Sequence, residues 1–195
     1  MSAAGKGESQ VVPPTAALSP LVVQYRREPN AILRREAMRK GDEEKQPGVL
    51  EVARVAVSDA DPTVILQALA ILETRRDKSS APLLTRALQE NARRPDGYGM
   101  PIREAAIRAL GQCGDASVVP VLVKELDRHD DLSYDNAIVQ ALGQIGDASA
   151  LEALNAQIQR LEKFKPVESI AREPLKQALA ITTAARDRIM KGNVK

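Results

Sequence analysis

The chain has 195 residues, 44% of them hydrophobic, enough for one continuous core; with Cys113 as its only cysteine, it is not a small fold stapled by disulfides within the chain. Its formal charge is +2 and aromatics make up 2%, with no tryptophan, so the core has to be built from Leu, Val, Ile and Ala. No stretch approaches the roughly 20 apolar residues of a membrane span, and no charged N-terminal segment leads into an apolar run. A soluble, cytoplasmic, monomeric protein is expected; an extracytoplasmic origin, with a signal or lipid-anchor segment removed, is the alternative. Charge is uneven: residues 109–158 carry 2 basic and 8 acidic side chains, residues 159–195 carry 9 basic and 4 acidic.

Residues 1–18 are rich in Gly, Ser, Ala and Pro and have little to bury, so they are expected as a disordered arm ahead of a single domain, 19–195. Ser19 with Pro20 reads as a cap and first-turn proline, opening a short helix through Leu21, Val22 and Tyr25 that Pro29 ends. Asn30 opens a helix through Ile32, Leu33, Ala37 and Met38, and a second runs from about Pro47 through Leu50, Val52, Ala53 and Val57, giving a first divergent repeat over 30–58. A second repeat, 61–91, begins at Asp61 and Pro62. Its turn, ETRRDKSS, replaces the Gly-x-x-Gly-Asp found later and is longer by 3 residues, which predicts a looser turn. The segment NARRPDGYGMP then predicts a long loop carrying an exposed Tyr98.

The third and fourth repeats, 101–129 and 133–165, are near copies at an offset of 32 residues. Ala105, Ala109, Leu110, Gly111, Gln112, Gly114, Asp115, Ala116, Ser117 and Leu122 all meet identical residues. Apolar residues at helical spacing precede Gly111 and Gly114, which are expected to stop the helix. Asp115 and Ser117 then offer caps, and Pro120 opens a second helix. A fixed period of about 20 to 50 residues is the mark of a solenoid, whose units bury their apolar faces only by stacking. After Pro166, Arg172, Glu173, Ala178 and Leu179 match Arg103, Glu104, Ala109 and Leu110 at an offset of 69, with Pro174 where Ala105 stands. That predicts a closing helix over 168–190. The stretch A-L-G-x-x-G-D-x-S, present twice, resembles the HEAT repeat, in particular the short bacterial kind of phycobilisome lyase subunits. The resemblance implies an all-α, right-handed α-solenoid, an armadillo-like superhelix of about four helix pairs with N- and C-terminal capping helices.

Candidate chemistry is sparse. DRHDDLSYD gathers four carboxylates around His129, the only histidine, but it lies where one repeat hands over to the next, and there Asp supplies caps and His suits a helix end. Neither a metal site nor a catalytic residue is expected from it. Cys113 aligns with Ile145 and reads as core filler. The glycine pairs follow helices and lack the Lys and Ser/Thr of a phosphate loop. Arg75, Arg76, Arg93 and Arg94 have no aromatic neighbours for stacking nucleic acid and read as a solvated face. No cofactor, nucleic acid or membrane is therefore expected.

What the resemblance implies about function is a protein-interaction scaffold, because HEAT proteins line their concave side with the second helix of each repeat and bind partners there. Carried onto this chain, that face places Arg54, Arg86, Gln89, Lys124, Arg128 and Arg160 toward a partner, with Tyr98 at the edge. So many cations imply a partner with an acidic surface. The alternative carried by the same resemblance is a phycobilin lyase-type or chaperone subunit acting on a tetrapyrrole-carrying protein.

Overall fold

The computed structural model describes residues 18–128, 131–164 and 172–192. The expected arm, His129 with its metal and acid–base question, and the link 165–171 lie outside these. Among the described residues ten α-helices follow in order: α1 (Pro20–Arg27), α2 (Ala31–Glu43), α3 (Val49–Ala56), α4 (Pro62–Arg75), α5 (Ala81–Glu90), α6 (Gly99–Cys113), α7 (Val119–Leu126), α8 (Leu132–Ile145), α9 (Leu151–Lys163) and α10 (Arg172–Gly192). No strand occurs among the described residues. Helix starts follow the capping chemistry of the sequence. Ser19 Oγ accepts the Val22 N–H at 3.4 Å, Asn30 Oδ1 the Ile32 N–H at 2.9 Å, Asp61 Oδ1 the Thr63 N–H at 2.8 Å and Asp131 Oδ1 the Ser133 N–H at 2.8 Å.

The helices form an all-α solenoid of two layers. In one, α2, α4, α6, α8 and α10 stack in sequence; in the other, α3, α5, α7 and α9 each pack on the first-layer helix of the following repeat, and α1 caps α3. Each second helix thus closes the apolar face that the next repeat opens, so no repeat has a core of its own. Leu69, Leu84, Leu110, Leu122, Leu142 and Leu154 are fully buried, as expected. Leu179 is only half-buried, since among the described residues no helix after α10 packs over it. Cys113 is buried and its thiol donates to the Leu110 carbonyl at 3.0 Å; burial pushes its pKa up, as suits core filler.

Four expectations are corrected. Gly111 does not stop α6, which runs on to Cys113; a Cβ there would fall 2.8 Å from the Ala141 Cα, so the glycine is what lets α6 and α8 approach. Gly114, at φ +64°, is the terminator. The turn of the second repeat is not looser. α4 has 14 residues, as α8 has; the residues taken as extra form its last turn, after which Arg76 takes the left-handed conformation of Gly114, with φ 51°, and Asp77 leads a 3-10 turn as Asp115 does. The loop before α6 is shorter than expected: Asn91–Arg93 is a 3-10 turn, Gly99 and Met100 are helical, and only 94–98 is irregular. The closing helix sits in a later register. Gly111 meets Ala141 while Gly143 meets Ala185, which equates Ala185, not Ala178, with Ala141. Tyr134, Ile138 and Ala141 of α8 then correspond to Ala178, Thr182 and Ala185 of α10, all buried.

Candidate functional site

The second-layer helices carry the residues expected to face a partner, and the structure separates them into tied and exposed groups. Arg54 on α3 is tied. Its Nε donates to Asp77 Oδ2 at 2.8 Å and its Nη2 to Ser79 Oγ at 2.7 Å, clamping the α4–α5 turn. This hydrogen bond, offset in part by burial and helped by Ser80 and Ser79, holds the Asp77 carboxyl well below its ordinary range. Arg160 on α9 is half tied: its Nη2 donates to Asp135 Oδ2 at 2.9 Å, and its side chain is still 44% exposed. Arg86, Gln89, Lys124 and Arg128 are exposed. Arg86 pairs with Glu90 at 3.3 Å one turn along α5, and Arg128 with Glu125 at 3.7 Å. The Arg86–Glu90 pair is exposed on both sides and holds its charges loosely, whereas Glu125 is buried. Tyr98, 38% exposed, ends the short irregular segment; its N–H is taken by Asp96 Oδ1 at 3.0 Å. The arginines read as a solvated face are in part structural, since Arg75 pairs with Asp42 at 2.6 Å and Arg94 donates to the Ala60 carbonyl at 3.1 Å.

Two buried polar junctions went unnoticed in the sequence. At the first, Arg34 of α2 makes a two-pronged contact with Asp59, at 2.9 and 2.8 Å, and Tyr25 of α1 donates its hydroxyl to the same carboxylate. Burial pushes the Asp59 carboxyl up, but these bonds outweigh it and leave it below the ordinary value. At the second, Arg103 of α6 reaches Glu125 of α7 at 2.5 Å, and the Tyr134 ring of α8 lies 4.7 Å from the guanidinium. Burial raises the Tyr134 hydroxyl, with Arg103 opposing and Glu125 adding, so it stays a neutral donor. Asp135 and Gln157 repeat the Arg103 and Glu125 positions 32 residues on, and are also buried, 3.3 Å apart. The signal was there to read: polar residues recur at a spacing of 22 inside both copies of the repeat.

Among the described residues no group of three His, Cys, Asp or Glu side chains could hold a metal ion, and no helix is long and apolar enough to cross a membrane. A stack of helix pairs with exposed second-layer helices is the architecture of an α-solenoid, and residues 101–181 match the family model for HEAT repeats. Both A-L-G-x-x-G-D-x-S stretches lie within that match, in line with their resemblance to HEAT repeats. Over 50 residues the chain is 48% identical to the phycocyanobilin lyase subunit alpha of Synechocystis sp.. That match spans 26% of this chain and 18% of the length of the relative.

Proposed function

We propose that this protein is a non-catalytic scaffold that holds a partner protein on the exposed face of its second-layer helices. The observation that carries the reading is the exposed cations that recur along the second-layer helices, Arg86 on α5 with Lys124 on α7, and Arg128 after α7 with Arg160 on α9, with Gln89 beside them on α5. Extended faces of stacked repeats suit contact with other chains, and arginine and tyrosine are frequent anchors of interfaces. An acidic partner surface complements the row. Arg54 contributes by fixing the turn behind it, and Tyr98 supplies an aromatic at its edge. Affinity capture from the native host tests the proposal: an Arg86→Glu, Lys124→Glu double variant should lose the partners that the wild-type chain recovers. Equal recovery by both forms overturns the second-layer face.

A second reading, action on a tetrapyrrole-carrying protein, is favoured by the likeness to a phycocyanobilin lyase subunit. Mixing the purified chain with a bilin should then shift the absorption band of the bilin; an unchanged spectrum removes that reading.

A further inference from the structure

The internal repeat shows what ordinarily fills the space beside the buried polar pair. Between the third and fourth repeats the pair is Arg103 and Glu125, and Tyr134 plugs the gap: its ring stacks 4.7 Å from Arg103 and its hydroxyl points to Glu125 at 3.5 Å. Between the fourth repeat and α10 the corresponding pair is Asp135 and Gln157, and the residue corresponding to Tyr134 is Ala178. A methyl group stands where the earlier junction has a phenol.

The space is open. A pocket of about 240 Å³ lies between α8, α9 and α10, with Asp135, Gln157 and Arg160 supplying its polar groups and Leu132, Leu161, Leu175 and Phe164 its apolar walls. A dry cavity of about 150 Å³ accepts a benzene ring, so this volume takes an aromatic side chain. The chemistry on the walls matches that of the filled junction. Gln157, at the position of Glu125, brings an amide oxygen to accept a phenol hydroxyl, as Glu125 does for Tyr134. The half-exposed guanidinium of Arg160 is present to lie over a ring, as Arg103 does. Phe164, 58% exposed at the rim, offers a further aromatic surface.

We propose that this pocket docks a tyrosine side chain of the partner protein, which takes the place that Tyr134 occupies one repeat earlier. The proposal rests on the scaffold reading for the source of the tyrosine, and it places the anchor at the α9 end of the exposed row, next to Arg160. An acidic surface carrying one protruding tyrosine is the partner it fits.

The test uses N-acetyl-tyrosinamide as the probe, titrated into the full chain and followed by amide chemical shifts. Saturable shifts are expected at Leu132, Asp135, Gln157 and Leu161, with N-acetyl-leucinamide about tenfold weaker for want of the ring contacts and the hydroxyl bond. Leu175→Trp, which fills the pocket from a half-buried wall position, should abolish them; Leu132→Trp replaces it should that variant fail to fold. No saturable shift, an equal response to the leucine probe, or an unchanged response in the filled variant overturns the pocket. The two readings separate cleanly. Loss of partners in the Arg86→Glu, Lys124→Glu variant without probe binding leaves the scaffold and removes the pocket, whereas probe binding with partners unaffected by that variant does the reverse.

Discussion

The turn between α4 and α5 and the turn between α6 and α7 set the same acid at the head of the same 3-10 turn, yet they are held by different means. The first is entered through Arg76 and clamped from the preceding repeat by Arg54 on Asp77. The second is entered through Gly114, and the helix before it is pressed onto its neighbour by Gly111. The contrast extends along the molecule. The N-terminal repeats are joined by charged side chains, Arg34 to Asp59 and Arg75 to Asp42 as well as Arg54 to Asp77. The C-terminal ones are joined by glycines whose Cβ would strike the next helix, Gly111 on Ala141 and Gly143 on Ala185. Repeat geometry is thus reached either by ionic ties or by close backbone approach, and the two should fail differently.

The largest effect should come from the closely packed half. Leu142→Ala, at a fully buried position beneath α10, should cost about 2–5 kcal/mol, while Leu179→Ala on the half-buried face of α10 should cost less than half of that. Urea denaturation of the two variants checks the ratio; equal costs would mean that α10 is as enclosed as α8. Next comes the glycine contact. Gly111→Ala places a methyl 2.8 Å from the Ala141 Cα and should cost about 1–3 kcal/mol. The residue of α4 that stands three before its left-handed end, as Gly111 does in α6, is Glu73; it is half-buried and pairs with Arg108 at 3.6 Å, and Glu73→Ala should change stability by less than about 1 kcal/mol. A cost as large as that of Gly111→Ala would show that both halves depend equally on this position.

The ionic ties between the N-terminal repeats should be acid-sensitive. Asp77 and Asp59 have folded-state pKa values held below the ordinary carboxylate value. A depressed value stabilises fully above the unfolded pKa of about 3.9, and that contribution disappears as pH falls from there toward the folded pKa. Removing the carboxylate with Asp77→Asn should therefore destabilise clearly at pH 6, by about 1–2 kcal/mol for charge-assisted bonds to a partly exposed arginine, and progressively less below pH 4. Thermal melts of both forms between pH 6 and 2.5 read this out. A difference that stays constant across the range would mean that the clamp acts through shape and not charge.

The stacked helix pairs were legible because two nearly identical copies of one repeat lie side by side, and the caps at Ser19, Asn30 and Asp61 announce their helices by residue type alone. What stayed hidden depended on the neighbour. Nothing local to Gly111 tells a helix stop from a close approach; the distinction lies in Ala141, 30 residues away. The α4–α5 turn was misread because its left-handed position carries an arginine, where a glycine would have marked it, so the turn was taken to begin three residues too early and Asp77 did not fall on Asp115. Arg54 looked solvent-facing by position on α3, and only the placement of that turn shows where its guanidinium goes. The exposure of Arg86, Gln89, Lys124 and Arg128 was legible from their helix positions. The pocket beside Asp135 needed the register of α10, which its sequence match placed seven residues too early.

The smallest effect sharpens the comparison most directly, because it exchanges the two turn entries. Arg76 holds a φ of 51°, a conformation that costs an L-residue about 1–2 kcal/mol through the clash of Cβ with the following carbonyl. Glycine removes that clash but brings about 0.5–1 kcal/mol of added backbone entropy in the unfolded chain. Arg76→Gly should therefore stabilise by about 0.5–1 kcal/mol, the more so as Arg76 is exposed and its side chain leaves no core contact behind. Gly114→Ala runs the exchange backwards at φ +64°, where a Cβ meets no atom within 4 Å, so strain alone should set its cost at about 1 kcal/mol. Denaturation midpoints of the two variants should shift in opposite directions by similar amounts. If Arg76→Gly instead destabilises, the Arg54 clamp is already holding the turn in a conformation that the sequence of that turn does not resist, and the strain assigned to Arg76 is not there to be relieved.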